Sequence, residues 1–413
     1  MRVSIGAVLT TPVGSQVFAR KVAAARARTD ELFRLLKPEA LYQRPVPERH
    51  RLIFYLGHLE AFDWNQICRA GLDVPSFHPE FDRLFEFGID PPPGQAPNDQ
   101  PSDWPPVAEI QNYNRRVRQK VDDLLGKAPE QIVNIAIEHR LMHAETFAFL
   151  MHNLGYEHKL PVESEIRPGS QPVQHSMVEI PAGMATLGQT PGEFGWDNEF
   201  DRHVVGVPGF SISKYKVTNG EYLEFVRAGA SPPYFWIPRN GEWLYRGMFA
   251  EVPLPLDHPV YVTHDEASAY ARWVGKALPA EAQFHRAAYG SRHGEERSYP
   301  WGDAAPAASH GNFDFHAWDT MNVTTHPAGE SAWGVAQLTG NGWEWTATLF
   351  GPFEGFQPFP TYPGYSRNFF DGQHYVLKGA GPRTAACFLR RSFRNWFRSN
   401  YPYVHATFRL VEN

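Results

Sequence analysis

The chain has 413 residues, a formal net charge of −6 and a pI near 6.3. This acidic balance argues against a nucleic-acid partner, and no apolar run is long enough to span a bilayer. A chain of this length is expected to form two domains rather than one core. Cys68 and Cys387 are too far apart in the sequence to suggest a disulfide framework, and residues 1–16 do not resemble a signal peptide. These features predict a cytoplasmic protein.

Residues 1–155 have the periodicity of a helical bundle. Apolar residues recur at spacings of three and four over 14–37, 50–71, 106–126 and 129–154. Residues 72–105 are rich in proline and glycine, and they are predicted to form one long loop. Pro129 fits the first turn of the last helix and Gly155 fits its end. Four helices with one long crossover predict a bundle, a fold that builds metal sites from facing helices.

Three histidines in this half are candidates for a shared metal. The stretch EHRLMHAETFAFLMH places His139 and His143 four residues apart, so on a helix both imidazoles leave the same face. His58 lies in another predicted helix, within YLGHLEAFDWNQ. On spacing alone, a metal site and ordinary polar or core histidines both remain open. The other histidines of this half are expected to be solvated: His50, His78, His152 and His158.

Residues 156–176 are polar and contain prolines, which predicts a linker before a second domain. Aromatic residues, 14% of the chain, are concentrated with proline and glycine after residue 180. Short β-like stretches alternate with turns, namely MVEIPAG, HVVGVPGFSISKYKV, HPVYVTH and HYVLKGA. Helices are expected only near 219–228, 265–275 and 280–289. This pattern predicts an α+β domain with little regular structure and an aromatic interior.

Seven blocks of the second half occur in the order seen in the formylglycine-generating-enzyme, or sulfatase-modifying-factor, fold. The blocks are IPAGMATLGQT, KYKVTNGEYLEFV, HPVYVTHDEASAYARWVGKALPAEAQFHRAAYG, YPWGD, GVAQLTGNGWEWTATLF, VLKGAG and ATFRLV. The N-terminal part resembles the DinB-type four-helix domain. This domain order is similar to that of the ergothioneine-pathway sulfoxide synthases, non-heme iron enzymes that join sulfur to the imidazole of hercynine, a histidine betaine. The resemblance implies an α+β protein with a DinB-like metal-binding bundle over 1–165. Residues 166–413 would form a formylglycine-generating-enzyme-like, C-type-lectin-like domain.

The resemblance also implies a site. In that family one histidine from an early helix and an HxxxH pair from the last bundle helix hold iron, which carries over to His58, His139 and His143 with Fe(II). An Asn-Trp pair in the block SFRNW faces the betaine, and it corresponds to Asn395 and Trp396. Cation–π attraction between an indole and a quaternary ammonium fits this role. The alternative is a core tryptophan beside a hydrogen-bonded asparagine.

The chain departs from the family at residues that concern the second substrate. Formylglycine-generating enzymes in the strict sense depend on two cysteines a few residues apart late in the chain. That activity is excluded here, because Cys387 has no second cysteine near it. The branch that uses γ-glutamylcysteine carries an arginine pair in the loop before the third helix, an acid after Asn-Trp and the metal motif HEQQH. In this chain the loop FGIDPPPGQAPNDQPSDW contains no Arg or Lys, and Phe397 follows the Asn-Trp pair. The metal motif reads HRLMH, with Met142 before the second histidine.

These departures remove groups that would recognise a charged peptide, and FGPFEGFQPFPTYPGY at residues 350–365 is dense in aromatic rings instead. A neutral, flat donor such as a selenosugar suits such a surface. The chain therefore resembles the selenoneine-synthase relatives of the family, which use O2 to join selenium to C2 of hercynine. Other readings stay open: a hercynine sulfoxide synthase using cysteine or γ-glutamylcysteine, a DinB-type metal-dependent thiol transferase, or a non-catalytic ligand-display scaffold.

Two further roles have several candidates each. A free-cysteine donor needs a cation for its carboxylate, and the candidates are Arg390, Arg391, Arg394 and Arg398. A phenol supplies a proton to reduced oxygen in the family, but the aligned region here has phenylalanines instead. The candidates for that role are Tyr362, Tyr365, Tyr401 and Tyr403.

Overall fold

The computed structural model describes residues 16–89, 97–163, 166–167 and 173–412. The chain divides into two units, Met1–Val162 and Glu163–Asn413. The domain boundary predicted between residues 165 and 166 stays a prediction, because residues 164–165 lie outside the described part. The expectations for residues 1–15 also lie outside it. Among the described residues, no helix combines the length and apolarity that a bilayer crossing requires.

The described part of the first unit contains the four long α-helices that the periodicity predicts and one short α-helix. The helices are α1 (Gln16–Arg34), α2 (Leu52–Asp63), α3 (Pro79–Phe87), α4 (Val107–Leu124) and α5 (Glu130–Asn153). The chain continues from α2 through Trp64–Ala70 as π-helical turns, so the predicted helix over 50–71 is α2 together with this segment. The predicted helical bundle is confirmed.

Residues 72–105 are not one loop, because α3 lies within them. Its first turn is capped by His78, whose Nδ1 accepts a hydrogen bond from the Phe81 amide at 3.3 Å. Phe81 and Phe85 lie four residues apart and are both buried, so α3 covers apolar surface of the bundle. The prediction was wrong because the proline-rich stretch after α3 concealed this short apolar pattern.

The second unit combines short strands with three helices close to their predicted positions. The strands are β1 (Met177–Ile180), β2 (Gly183–Leu187), β3 (His203–Val207), β4 (Phe210–Ser213), β5 (Trp236–Arg239), β6 (Glu242–Arg246), β7 (Glu251–Pro253), β8 (Gly342–Leu349), β9 (His374–Ala380), β10 (Asn395–Arg398), β11 (Ala406–Thr407) and β12 (Val411–Glu412). The helices are α6 (Asn219–Arg227), α7 (His264–Trp273) and α8 (Glu281–Tyr289). The described strands form sheets in the orders β1-β4-β12, β2-β3, β5-β6-β7 and β10-β9-β8-β11. This mixed architecture confirms the predicted α+β class.

The segment HPVYVTH, residues 258–264, forms no strand of a sheet, and its last residue begins α7. The Val260 amide donates to the Val217 carbonyl at 3.0 Å, and the Val262 amide donates to the Ala406 carbonyl at 2.9 Å. The two amides therefore donate to two different segments of the chain, and no continuous ladder forms. The strand prediction was wrong here because alternation of apolar residues reports burial rather than ladder pairing.

A buried ion cluster ties β8 to the C-terminal segment of the second unit. The side chains of Lys216, Glu344 and Arg409 are all 0% exposed. Glu344 Oε1 accepts a hydrogen bond from Lys216 Nζ at 2.6 Å, and Glu344 Oε2 accepts one from Arg409 Nε at 2.5 Å. Arg409 also donates to the main-chain carbonyls of Ser213 and Ala336. One carboxylate therefore pairs with two basic side chains in the core.

Candidate metal centre

Three imidazoles from α2 and α5 converge in the first unit. Ring nitrogens of His58, His139 and His143, one from each residue, all lie within 4.8 Å of one another. The rings of His139 and His143 are 4.4 Å apart between centroids, as expected for side chains one turn apart on α5. His58 Nε2 lies 3.2 Å from His143 Nε2. The packing of α2 against α5 thus brings together residues that are distant in the sequence.

The trio has the donor chemistry and spacing of a mononuclear metal site. Two imidazole nitrogens bound to one ion at about 2.1 Å, at right or tetrahedral angles, lie roughly 3.0–3.4 Å apart. The 3.2 Å separation of His58 Nε2 and His143 Nε2 falls within that interval. Imidazole ligands suit Fe(II), Zn(II) and Ni(II), and three of them leave coordination positions for substrates. The residues therefore fit a metal, although their donor set does not select one ion.

The main chain of α3 fixes the tautomer of His58. Its Nδ1 lies 2.6 Å from the carbonyl oxygen of Phe85. A carbonyl can only accept a hydrogen bond, so Nδ1 carries the proton and Nε2 keeps its lone pair for the trio. Such a bond orients a metal-binding histidine and raises its basicity. A Cβ at Gly57 would overlap the Phe85 ring, so this glycine permits the close approach of α3 to α2.

Burial keeps the three rings neutral. It lowers the pKa of His58 to about 4. Burial, together with the neighbouring histidines, lowers the pKa of His139 and of His143 well below the ordinary value. The Phe62 ring stacks on His139 with centroids 3.3 Å apart and planes 8° apart. The trio therefore presents neutral imidazole, the form that binds metals, at neutral pH.

The other histidines of the first unit lie outside the trio. His152 is 1% exposed, so the prediction that it is solvated is wrong. The prediction failed because α5 is buried on nearly all sides along its last two turns, so position on a different helical face does not imply solvent. His50, His78 and His158 are half-buried.

The residues predicted to face a betaine lie on β10, at the edge of its sheet. This strand pairs antiparallel with β9 alone. Successive strand residues point to opposite faces, so Asn395 and Phe397 share one face, and Trp396 and Arg398 share the other. Trp396 stacks on Phe350 with centroids 4.2 Å apart and planes 7° apart. One face of the indole is therefore covered within the second unit.

Phe397 begins a row of aromatic rings. It lies parallel to Tyr401, with centroids 5.4 Å apart, and Tyr401 meets Tyr403 edge-on at 5.1 Å. Two of the four tyrosines considered as proton donors therefore lie in the same row of rings as the residue that follows the Asn-Trp pair. Met142, the other predicted substrate residue, is half-buried on α5 directly before His143.

Several rings of residues 350–365 lie in the core of the second unit, whereas the sequence predicts a surface for a flat donor in this stretch. Phe350, Phe359 and Tyr365 are all buried. Tyr365 stacks on Trp196 with centroids 3.9 Å apart. These rings pack on one another because a domain with short strands depends on aromatic side chains to fill its interior.

Three of the four arginines considered for a donor carboxylate already bind carboxylates of the protein. The pairs are Arg390–Glu199 at 2.8 Å, Arg391–Glu296 at 2.9 Å and Arg394–Glu281 at 3.1 Å. Arg398 is exposed at the end of β10 and makes no ion pair with a described residue. The fold thus leaves Arg398 as the uncommitted cation of this set.

Both units match known domain families. The DinB superfamily matches residues 21–151, and the sulfatase-modifying factor enzyme 1-like domain matches residues 163–413. The class of the protein is therefore a DinB bundle followed by a sulfatase-modifying-factor domain.

Two hercynine oxygenases and one ergothioneine biosynthesis protein are similar to this chain over most of its length. The hercynine oxygenase of Mycolicibacterium thermoresistibile is 35% identical over 322 residues, which cover 70% of this chain and 71% of the relative. The hercynine oxygenase of Mycolicibacterium smegmatis is 32% identical over 417 residues, covering 93% and 96%. Ergothioneine biosynthesis protein 1 of Neurospora crassa is 27% identical over 494 residues, covering 92% and 56%. The chain belongs to the hercynine oxygenase family, the ergothioneine-pathway sulfoxide synthases that its motifs resemble.

Proposed function

We propose that the chain is a cytoplasmic, O2-dependent non-heme Fe(II) enzyme that joins selenium or sulfur to the imidazole C2 of hercynine. The observation that carries the proposal is the convergence of His58, His139 and His143 within 4.8 Å. The similarity to two relatives named hercynine oxygenase also supports the proposal. The proposed partners are small molecules: hercynine, O2 and a chalcogen donor.

The protein contributes positioning and charge. Bound Fe(II) would supply redox chemistry with O2 and a positive charge that lowers the pKa of a thiol or selenol. His58, His139 and His143 would hold the ion. We assign recognition of the betaine to Asn395 and Trp396, since ring surface of the half-buried indole can attract a quaternary ammonium. Holding two reactants at near-attack distance can contribute several kcal/mol to the barrier reduction.

A selenosugar is the donor that we favour. The loop FGIDPPPGQAPNDQPSDW offers no cation for a dicarboxylate donor. Arg390, Arg391 and Arg394 are occupied by carboxylates of the protein. Phe397 presents an apolar ring, parallel to Tyr401, where the γ-glutamylcysteine branch has an acid. These observations favour a neutral donor with a flat face, and free cysteine bound through Arg398 is the second candidate.

Phe397→Asp is expected to shift donor preference away from the selenosugar, because a carboxylate replaces an apolar ring and disfavours a neutral, flat face. We expect the ratio of kcat/KM for selenosugar over cysteine to fall roughly tenfold, the effect of losing one apolar contact. Competition assays with both donors, analysed by mass spectrometry, measure this ratio. Phe397→Asn is the matched control for charge. An unchanged donor ratio in Phe397→Asp would argue against the selenosugar assignment.

The function as a whole is tested by anaerobic loading with Fe(II), addition of hercynine, and parallel supply of a seleno-sugar, cysteine and γ-glutamylcysteine. After air is admitted, O2 uptake and product mass are recorded. We expect O2 uptake that depends on hercynine, with the largest yield from the seleno-sugar. Product without O2 uptake would indicate a metal-dependent thiol transferase. Absence of any turnover would indicate a ligand-binding scaffold.

A further inference from the structure

We infer that Arg140 is a positioning residue that fixes α5 against α2 and thereby holds the three histidines in register before any metal binds. This inference rests on the metal site of the proposed function. It concerns Arg140, which lies between the two histidines of HRLMH.

Arg140 is 2% exposed, and each of its contacts crosses from α5 to another helix. Its Nη2 donates to the Leu59 carbonyl at 2.9 Å and to Asp63 Oδ2 at 2.6 Å. Its Nη1 donates to Glu60 Oε1 at 3.1 Å and to Thr29 Oγ1 at 3.3 Å. One planar guanidinium therefore binds three residues of α2 and one residue of α1.

Arg140 and its partners on α2 are close to the histidines in the sequence, but their side chains leave the helices in other directions. Arg140 follows His139 directly, and consecutive helical residues differ by about 100° around the axis. Its partners on α2 begin one residue after His58. The guanidinium therefore restricts the rotation of α5 and its sliding along α2. These two motions control whether the His139 and His143 nitrogens meet His58 Nε2.

The link continues through the other long helices. Glu60 Oε1 also accepts a hydrogen bond from Arg118 Nη2 of α4 at 2.7 Å. Arg118 Nη2 in turn donates to Asp30 Oδ1 of α1 at 2.7 Å. Buried charges tolerate only geometries in which each has its partners, whereas apolar contacts between helices allow sliding. The buried cluster of Arg140, Glu60 and Asp63 therefore favours one register of α5 on α2, and the partly exposed Arg118–Asp30 pair extends the ionic contacts to α4 and α1.

Arg140 is also a feature of this chain's motif. In HRLMH the residue directly after the first histidine is Arg140. The carboxylates of Glu60 and Asp63 on α2 are matched to this arginine, since each lies within 3.0 Å of it. An acid at this position would face two buried carboxylates and would separate the helices.

The test compares Arg140→Lys with Arg26→Lys in the full chain. Lysine keeps the charge, so the carboxylates stay neutralised, but it lacks the planar fork that binds several acceptors of α2 at once. Arg26 is the matched control, because its ion pairs run from α1 to Asp63 at 3.9 Å and to Asp122 of α4 at 2.6 Å. Co(II) is the metal probe, read by its visible absorption. Urea unfolding of the metal-free proteins measures their stability separately.

We expect the Kd for Co(II) to rise on the order of 10- to 100-fold in Arg140→Lys, an effect as large as the loss of a residue that orients a ligand directly. Arg26→Lys should bind Co(II) like the wild type even where its stability falls. Asp63→Asn removes the α2 end of the same link and should also weaken Co(II) binding. It is measured in parallel, so that the result does not depend on the folding of one variant.

Each outcome separates the inference from the proposed function. Wild-type affinity for Co(II) in Arg140→Lys or in Asp63→Asn would overturn the positioning role and leave the metal site intact. Equal weakening in Arg26→Lys would show that the loss follows from general destabilisation, which also overturns it. A wild-type chain that binds no Co(II) would instead refute the metal site itself.

Discussion

His139→Ala is expected to abolish both iron binding and product formation. His139 contributes one of three imidazoles, and a site left with two such ligands holds a labile divalent ion weakly. His139 is 2% exposed and stacks on Phe62, so alanine leaves a buried space beside an apolar ring. The measurements are iron per chain after anaerobic loading and gel filtration, and product mass after admission of air with hercynine and donor.

His158→Ala is the matched control for that variant. His158 is a half-buried histidine of the same unit, and it lies near Glu157 rather than in the trio. We expect it to retain iron and activity. Product formation by His139→Ala at the wild-type rate would remove this histidine from the site.

Glu344→Ala is expected to cost about 3–5 kcal/mol of the free energy of unfolding, or to prevent folding of the second unit. The change leaves Lys216 and Arg409 as two uncompensated cations in a fully buried setting. Burial of an unpaired charge is far more costly than loss of a surface pair. Urea unfolding followed by tryptophan fluorescence measures the effect.

Glu224→Ala supplies the comparison on the surface of the same unit. Its carboxylate pairs with Arg227 three residues later on α6, and both side chains are more than half exposed. We expect a change within about 0.5 kcal/mol, as is usual for exposed pairs. Equal losses in the two variants would contradict the view that the buried cluster stabilises the second unit.

The sequence predicts those features that depend on local pattern. The long helices follow from apolar spacing, and the proximity of His139 and His143 follows from the helical repeat. The seven motif blocks predict the second fold because each block has a place in a known chain order. The helices at 219–228, 265–275 and 280–289 follow from periodicity in the same way.

The features that the sequence did not reveal depend on contacts between distant segments. The carbonyl of Phe85 carries no side-chain signal, yet it fixes the tautomer of His58. The role of Gly57 depends on the approach of α3, which the proline-rich surroundings concealed. Arg140 and Glu60 read as polar residues in helices, and only their burial shows that they must be partners. A charged residue within an otherwise apolar helical stretch is the sequence signal that would have indicated such a pair, because a charge buried there needs a partner.

X-ray absorption at the iron edge, on the Fe(II)-loaded wild-type chain and on His58→Ala, tests the central claim most directly. His58 is the decisive residue because it brings the second helix to the site. We expect imidazole scattering from three ligands at about 2.1 Å in the wild type. We expect loss of iron, or of one imidazole, in the variant. A wild-type spectrum without imidazole scattering, or an identical spectrum for His58→Ala, would contradict the account.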